Sequence, residues 1–328
     1  MNRFWKDFGI AVTMGLIVPA VLLAAVVSLA GERSEIPALT EPIFTTEPVA
    51  ASETELGLLI SVLDDDAQIK QIPLQDYLTC VVLAEMPASF EEEALKAQSV
   101  VARTYTMRAV NGAAKHQDAD VCTNAACCQG YVDVEDYLDE CGSEENVNKV
   151  RNLISSTHGE VLTYDGDLIE ATYFSCSGGM TEDAVAVWGT DVPYLRAVAS
   201  PGEEYATHYT DSVAFDPDEF SSMLGLELHG DPAAWFSDVG YTEGGGVETM
   251  SIGGEVFSGT QLRKLLGLRS TAFTVTVRDD TITIHTRGYG HRVGMSQYGA
   301  DAMAAAGSTY EQILAHYYQG TELTDDIH

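Results

Sequence analysis

The segment from Pro73 to Met107 constrains the fold most strongly, because it encodes two helices separated by a proline. The first predicted helix runs from Leu74 to about Met86. It must end there, because Pro87 has no amide proton and disfavours helical geometry in the residue before it. The sequence itself therefore fixes the last turn of this helix.

The second helix of the segment has its own start signal. Ser89 is the predicted N-cap, and Glu92 three residues later completes the pattern of a capping box, which supplies acceptors for two backbone N–H groups. Lys96 and Arg103 are seven residues apart and share one face of this helix. The sequence thus predicts a second, amphipathic helix against the first.

Glu85 falls in the last turn of the first helix. The negative end of the helix dipole disfavours another negative charge there, and partial burial beside Leu83 and Met86 acts in the same direction, so both effects raise the pKa of the carboxyl group. A carboxyl group that stays protonated can donate its proton to a leaving oxygen. Glu85 is therefore a candidate general acid.

The N-terminal region predicts a membrane anchor. An almost uninterrupted apolar run at residues 8–30 follows Arg3 and Lys6, which predicts that residues 1–7 stay in the cytoplasm and that the chain after residue 30 lies outside. A cleaved signal peptide is the alternative, because small residues precede Gly31. Residues 31–52 contain three prolines among Glu, Ser and Thr and predict an extended linker, which leaves one domain at 53–328.

The remaining patterns bear on fold class and on partners. Two stretches of alternating polarity, Phe273–Val277 and Thr281–Ile284, flank Asp279-Asp280 and predict a β-hairpin. Helices mixed with antiparallel hairpins predict an α+β fold. The formal net charge of −33 argues against nucleic acid or anionic lipid as a partner, and no phosphate-binding Gly-Lys-Ser/Thr loop is present.

A cysteine-rich loop is a candidate metal site. His116, Cys122 and Cys128 follow one another at steps of six residues, and thiolates with an imidazole suit zinc. Disulfides are the alternative, because the domain is predicted to lie outside the membrane. Cys127 is an adjacent thiol, so the choice between Cys127 and Cys128 stays open. Water, Cys141 or Cys127 could supply a fourth ligand.

Three segments together resemble the stage II sporulation protein D family. They are LAEMP with EALKAQSVVARTY at 83–105, SCSGGMTEDAVAVWGTDVPYLRAV at 175–198, and GYGHRVGMSQYGADAMAAAG at 288–307. The resemblance spans roughly residues 56–322. It implies a lytic transglycosylase of bacterial peptidoglycan, in which the glutamate of the AEMP motif, here Glu85, is the catalytic acid.

The resemblance also implies further roles. It implies a zinc site of one histidine and two cysteines, as at His116, Cys122 and Cys128, which we interpret as structural. Where relatives have glycine, this chain has Arg292, whose positive charge could contact a lactyl carboxylate or a phosphate of the wall. The residues that the family motifs imply for orienting the sugar are Lys96, Arg103, Tyr173, Ser177, His291, Ser296 and Gln297.

The implied reaction needs a single carboxylate. Glu85 protonates the oxygen that links N-acetylmuramic acid to N-acetylglucosamine, and the resulting carboxylate takes the proton of the muramyl 6-hydroxyl, which closes on C1. The family further implies a role in forespore engulfment during endospore formation, a location in the mother-cell membrane facing the forespore, and stage II sporulation proteins P and M as partners.

Two other classes of function stay open from the sequence. The first is a non-catalytic protein that binds glycan and stimulates an amidase, like the amidase-enhancer relatives of this domain. The second is a zinc hydrolase or a thiol enzyme that pairs Cys80 or Cys176 with His291, although both cysteines also suit small buried positions.

Overall fold

The computed structural model describes residues 57–325, apart from the side chain of Cys141. The predicted cytoplasmic N-terminus, the anchor at 8–30 and the linker at 31–52 lie outside these residues. Within the described range, no helix has the length and apolar character needed to cross a bilayer.

Helices and short sheets alternate along the described chain, which confirms the predicted α+β class. The helices are α1 (Leu74–Glu85), α2 (Glu92–Arg108), α3 (Val134–Cys141), α4 (Glu144–Ser156), α5 (Ala184–Trp188), α6 (Pro217–Leu224), α7 (Gly259–Leu265), α8 (Gln297–Ala305) and α9 (Tyr310–Tyr317). A π-helical turn, Ala109–Ala113, follows α2, and a 3-10 turn lies at Pro232–Ala234.

The strands form small sheets, and most neighbouring strands run antiparallel. They are β1 (Leu59–Leu63), β2 (Ile69–Pro73), β3 (Val121–Cys122), β4 (Val161–Tyr164), β5 (Asp167–Leu168), β6 (Tyr173–Phe174), β7 (Thr210–Phe215), β8 (Phe236–Tyr241), β9 (Val247–Ile252), β10 (Glu255–Ser258), β11 (Phe273–Arg278), β12 (Thr281–Arg287), β13 (Met295–Ser296) and β14 (Glu322–Thr324). The sheet orders are β2-β1-β3, β10-β9-β8, β11-β12-β7, β13-β6 and β14-β4-β5. The parallel pairs are β1 with β3 and β13 with β6.

Two hydrophobic cores organise these elements. The first joins α1, α2 and α4 to β4 and α9, with Tyr77, Leu95 and Tyr317 fully buried. The second is smaller and lies among residues 215–284, around Phe220 and Leu262. Burial of these apolar side chains is the main term that stabilises each core.

The end of α1 lies where the sequence predicts it, but the start of α2 does not. Helix α1 ends at Glu85, and Met86 is extended (φ −132°, ψ 140°), as expected before a proline. The predicted capping box is wrong, because α2 begins at Glu92 with Glu91 as N-cap and no side-chain cap. Instead, the Glu91 N–H donates to Asp301 Oδ1 of α8 at 2.7 Å.

The predicted hairpin is confirmed as β11 and β12. Their pairing joins Arg278 to Thr281, and Asp279 and Asp280 turn the chain with positive φ values of 48° and 61°. Such a turn matches the right-handed twist of the flanking strands, and short acidic or amide side chains tolerate it. The second strand leads directly into the glycine-rich loop that precedes α8.

Candidate active site and metal cluster

The Glu85 carboxyl group lies at the C-terminal end of α1, where three segments distant in sequence converge on it. The Gly130 N–H donates to Oε1 at 2.5 Å, and the Tyr173 hydroxyl donates to the same oxygen at 3.1 Å. The Gln297 side-chain amide donates to Oε2 at 3.4 Å. The Glu85 side chain is half-buried, so its carboxyl group is both held and reachable.

The protonation of Glu85 reflects two opposing effects. Burial disfavours the charged form and raises the pKa of the carboxyl group, whereas hydrogen bonds from Gly130, Tyr173 and Gln297 favour the carboxylate and lower it. Burial is the larger effect, so the pKa of Glu85 lies above its ordinary value. Such a group stays protonated to a higher pH than an exposed glutamate does. Its ionised form accepts hydrogen bonds from three donors.

Gly130 approaches the Glu85 carboxyl group closely. A Cβ atom at this position would lie 2.8 Å from Glu85 Oε1 and 3.2 Å from its carboxyl carbon. Both distances are shorter than ordinary contacts, so any side chain here displaces the carboxyl group. No local pattern in the sequence indicates the role of Gly130, because its partner Glu85 is 45 residues away.

Tyr173 links the Glu85 carboxyl group to Gln129. The Tyr173 hydroxyl lies 3.1 Å from Glu85 Oε1 and 3.2 Å from Gln129 Oε1, so its single proton can serve either acceptor. Gln129 is buried, and its amide donates to Thr106 Oγ1 at 3.2 Å. Burial raises the pKa of Tyr173 well above its ordinary value, which keeps the phenol neutral.

Ser177 and Ser296 form hydrogen bonds to a buried carboxylate, that of Glu203. Both side chains are fully buried, and both hydroxyls donate to Glu203, Ser296 at 2.6 Å. Glu203 also accepts the N–H groups of Ser177 at 2.9 Å and Gly179 at 3.1 Å. Direct contact of these two serines with a sugar, as expected from the motifs, does not fit their burial. Glu203 is a residue that sequence reasoning missed.

Lys96 and Arg103, two of the three basic residues of α2, contact other groups of the protein. Arg103 is fully buried, and its guanidinium donates to the carbonyl groups of Ile154 at 3.0 Å and Glu160 at 3.2 Å. Arg103 therefore stabilises the end of α4 and has no exposed surface to offer a sugar. Lys96 pairs with Glu93 at 2.6 Å and lines a groove between α2 and α4.

His291 borders the site as a neutral ring. Its Nδ1 accepts the Val293 N–H at 3.1 Å, and its ring packs edge-on against Phe174. Burial and the charge of Arg263 lower the pKa of His291 to about 4. Trp188 packs against the same ring at 5.4 Å between centroids and is 42% exposed, so its indole is available to stack on a sugar face.

Arg292 does not face a ligand. It is 1% exposed, and its guanidinium donates to Glu182 Oε1 at 3.0 Å and to the carbonyl groups of Ser177 at 2.7 Å and Gly244 at 2.7 Å. A contact with a lactyl carboxylate or a phosphate, which the sequence left open, does not fit this burial. Its φ of 66° lies in the region that favours glycine, which agrees with the glycine implied for relatives at this position.

Four potential ligands of a metal ion meet in the loop after α2. His116 Nε2 and the Sγ atoms of Cys122, Cys127 and Cys128 all lie within 4.8 Å of one another. Three soft thiols and an imidazole around one point are the donor set that zinc prefers in structural sites. The residues present therefore fit zinc, and the cluster directly precedes Gln129 and Gly130 in the chain.

The other two described cysteines do not resemble nucleophiles. Cys80 and Cys176 are buried, and burial raises the pKa of the first to about 11 and of the second to about 12. A thiol of this kind stays protonated at neutral pH and is a poor nucleophile. Because His291 Nδ1 is already an acceptor for Val293, the geometry does not favour a Cys/His pair.

Comparison with known proteins identifies the family. A model described as "Stage II sporulation protein" matches residues 64–164. Stage II sporulation protein D of Bacillus subtilis is 39% identical over 261 residues, which cover 78% of this chain and 76% of that protein. The protein of the same name from Bacillus amyloliquefaciens is 38% identical over the same length.

A third relative has a different name. The amidase enhancer of Bacillus subtilis is 32% identical over 297 residues, covering 74% of this chain and 40% of that protein. Together, these matches show that the chain belongs to the stage II sporulation protein D family, which is involved in sporulation, and that an amidase enhancer shares its domain.

Proposed function

We propose that this member of the stage II sporulation protein D family is a lytic transglycosylase that cleaves the glycan strands of peptidoglycan between N-acetylmuramic acid and N-acetylglucosamine. The observation that carries the proposal is the Glu85 carboxyl group, which is half-buried, has a raised pKa and faces three hydrogen-bond donors. These features suit a group that first gives a proton and then takes one.

In the first half of the reaction, protonated Glu85 donates its proton to the glycosidic oxygen. The bond between that oxygen and muramyl C1 breaks, and N-acetylglucosamine leaves with the proton. Positive charge develops at C1, and the new carboxylate is stabilised by the N–H of Gly130, the hydroxyl of Tyr173 and the amide of Gln297.

In the second half, the Glu85 carboxylate removes the proton of the muramyl 6-hydroxyl. The freed oxygen forms a bond to C1 and closes the 1,6-anhydro ring, so Glu85 regains its starting proton and no water is consumed. Glycoside hydrolases instead use a second carboxylate to activate water or to form a covalent intermediate.

The sugar itself would be oriented by groups at the rim of the site. The exposed indole of Trp188 and the neutral ring of His291 offer an uncharged surface beside the Tyr173 strand. Gln297 has an amide group that can reach either Glu85 or a sugar hydroxyl. Four of the residues implied by the motifs would support the structure around the site without touching the sugar: Lys96, Arg103, Ser177 and Ser296.

Zinc is part of the proposal in a structural role. His116, Cys122 and Cys128 would hold it, and bound zinc would fix the loop that presents Gln129 and Gly130 to the site. Residues 8–30 would anchor the enzyme in the mother-cell membrane, where it would act in forespore engulfment with stage II sporulation proteins P and M.

A non-catalytic amidase enhancer is the second candidate, because a relative of that name shares the domain. Product analysis of digested glycan strands by mass spectrometry separates the classes. Muramyl 1,6-anhydro ends that disappear with Glu85→Gln support the transglycosylase. Reducing ends or freed stem peptides would instead mean a hydrolase, and no new ends at all would mean a binding protein.

A further inference from the structure

The metal cluster of this chain contains one thiol more than the three ligands of the proposed zinc site. Two backbone N–H groups, those of Cys127 and Cys128, donate to the same Asn124 carbonyl at 2.9 Å each. The Asn124 side chain accepts the Ala126 N–H at 2.8 Å and closes the same turn. A turn this tight places both neighbouring thiols beside one imidazole.

Distances within the cluster place Cys127 on equal terms with Cys128. Their Sγ atoms lie 3.6 Å and 3.5 Å from His116 Nε2, and 4.0 Å from each other. In a tetrahedral site with Zn–S bonds of about 2.3 Å and Zn–N bonds of about 2.0–2.1 Å, the ligand atoms are about 3.8 Å apart for two sulfurs and about 3.6 Å for sulfur and nitrogen. The observed spacings match the edges of that tetrahedron.

A positive charge next to the cluster can offset the negative charge that a third thiolate adds. Three thiolates and a neutral imidazole leave one net negative charge on a Zn²⁺ centre. The Lys115 ammonium group donates to the Cys127 carbonyl at 2.5 Å and lies over the Tyr105 ring, 5.5 Å from its centroid. The positive charge of Lys115 beside the cluster therefore opposes the negative charge of the centre.

We infer that Cys127 is the fourth ligand, so that zinc is bound by three thiolates and one imidazole and has no position for water. The inference rests on the zinc of the proposed function but not on the reaction. A closed site of this composition is structural, because a catalytic zinc keeps an open position for water or substrate. A zinc hydrolase is thereby excluded for this loop. The side chain of Cys141 lies outside the described part of the structure.

X-ray absorption on the purified full-length protein, reduced and loaded with Zn²⁺, tests the inference without any activity assay. We expect three sulfur neighbours at about 2.3 Å and one nitrogen at about 2.0–2.1 Å. Cys127→Ser should lower the sulfur number to two. It should also weaken zinc binding by more than about tenfold, measured in competition with a chelator. Loss of a residue that only hydrogen-bonds to a metal ligand already weakens binding by about tenfold, and loss of a ligand should cost more.

Matched controls are the same substitution at thiols outside the cluster. Cys80→Ser and Cys141→Ser should keep three sulfur neighbours and the parent zinc affinity. Two sulfurs in the parent protein, unchanged zinc binding in Cys127→Ser, or loss of a sulfur in Cys141→Ser would each overturn the inference while leaving the zinc site itself in place. A protein that binds no zinc at all would overturn both the inference and the zinc of the proposed function, whatever the glycan products are.

Discussion

Glu85 is held by donors that favour its ionised form inside a site whose burial favours its neutral form. In the proposed reaction, this balance would let a single carboxyl group take both protonation states during one turnover. The closest of its partners, Gly130, comes from the loop that also carries the metal cluster.

Gly130→Ala tests this closeness. The added Cβ meets Glu85 Oε1 at 2.8 Å and forces the carboxyl group out of place, so we expect glycan cleavage to fall by about 100-fold. The rate of glycan cleavage under single-turnover conditions is the measurement. Gly57→Ala, where nothing lies within 4 Å of the new Cβ, is the matched control and should keep the parent rate. Equal rates for both variants would show that the approach of Gly130 is unimportant.

Glu85→Gln should change how stability depends on pH. The folded-state pKa of Glu85 is raised, so its contribution to stability is fully present below the ordinary glutamate value of 4.5 and is lost as pH rises through the folded pKa. The glutamine has no such loss. We therefore expect the variant to gain stability relative to the parent as pH rises from acid to neutral, measured by urea unfolding at a series of pH values. A constant difference would mean that Glu85 is not a buried acid.

Helix α8 connects the buried Glu203 to the Glu85 carboxyl group. Ser296 is its N-cap, accepting the Gly299 N–H at 3.2 Å while donating to Glu203, and the next residue, Gln297, reaches Glu85. At the other end of the site, α8 accepts the Glu91 N–H through Asp301. One short helix thus positions groups on both sides of Glu85.

Ser296→Ala should impair both stability and activity. Loss of an N-cap costs about 1 kcal/mol, and Glu203 also loses a buried donor, which adds about 1–3 kcal/mol. Ser258→Ala removes the comparable cap of α7 and should cost about 1 kcal/mol in unfolding free energy with no change in glycan cleavage. If both variants cleave glycan at the parent rate, α8 does not position Gln297 for the reaction.

Local elements could be predicted from the sequence where the signals themselves are local. The end of α1 before Pro87 and the turn at Asp279-Asp280 follow from the backbone preferences of those residues. The start of α2 was mispredicted because its acceptor, Asp301, is 210 residues away. Likewise, the motifs identify Ser177 but do not indicate Glu203, the buried carboxylate to which Ser177 donates. Long-range partners leave no trace in local sequence patterns.

At the scale of the whole molecule, a buried ion pair between Arg292 and Glu182 connects two segments that carry the family motifs to the loop of residues 242–246. Arg292 donates to Glu182, and Glu182 accepts the N–H of Gly246 at 3.0 Å and the hydroxyl of Thr242 at 2.8 Å. Both charged side chains are almost fully buried. The pair fixes the loop of residues 242–246 against the segment that carries His291.

A double-mutant cycle measures this coupling. Arg292→Met should cost about 3–5 kcal/mol, because it leaves the Glu182 charge buried without its partner. Adding Glu182→Gln should recover part of that loss, giving an interaction energy of about 0.5–3 kcal/mol in urea unfolding. Arg196→Met breaks an exposed pair with Asp191 and should cost less than about 1 kcal/mol. Strict additivity of the two buried substitutions would contradict a coupled pair.

In the proposed reaction, one carboxyl group cleaves the glycan without water. Digestion of purified glycan strands in water labelled with oxygen-18, followed by mass spectrometry of the new ends, tests it most directly. We expect 1,6-anhydromuramyl ends that contain no label in the parent protein, and no new ends with Glu85→Gln. Labelled reducing ends, or cleavage that persists in Glu85→Gln, would contradict the account.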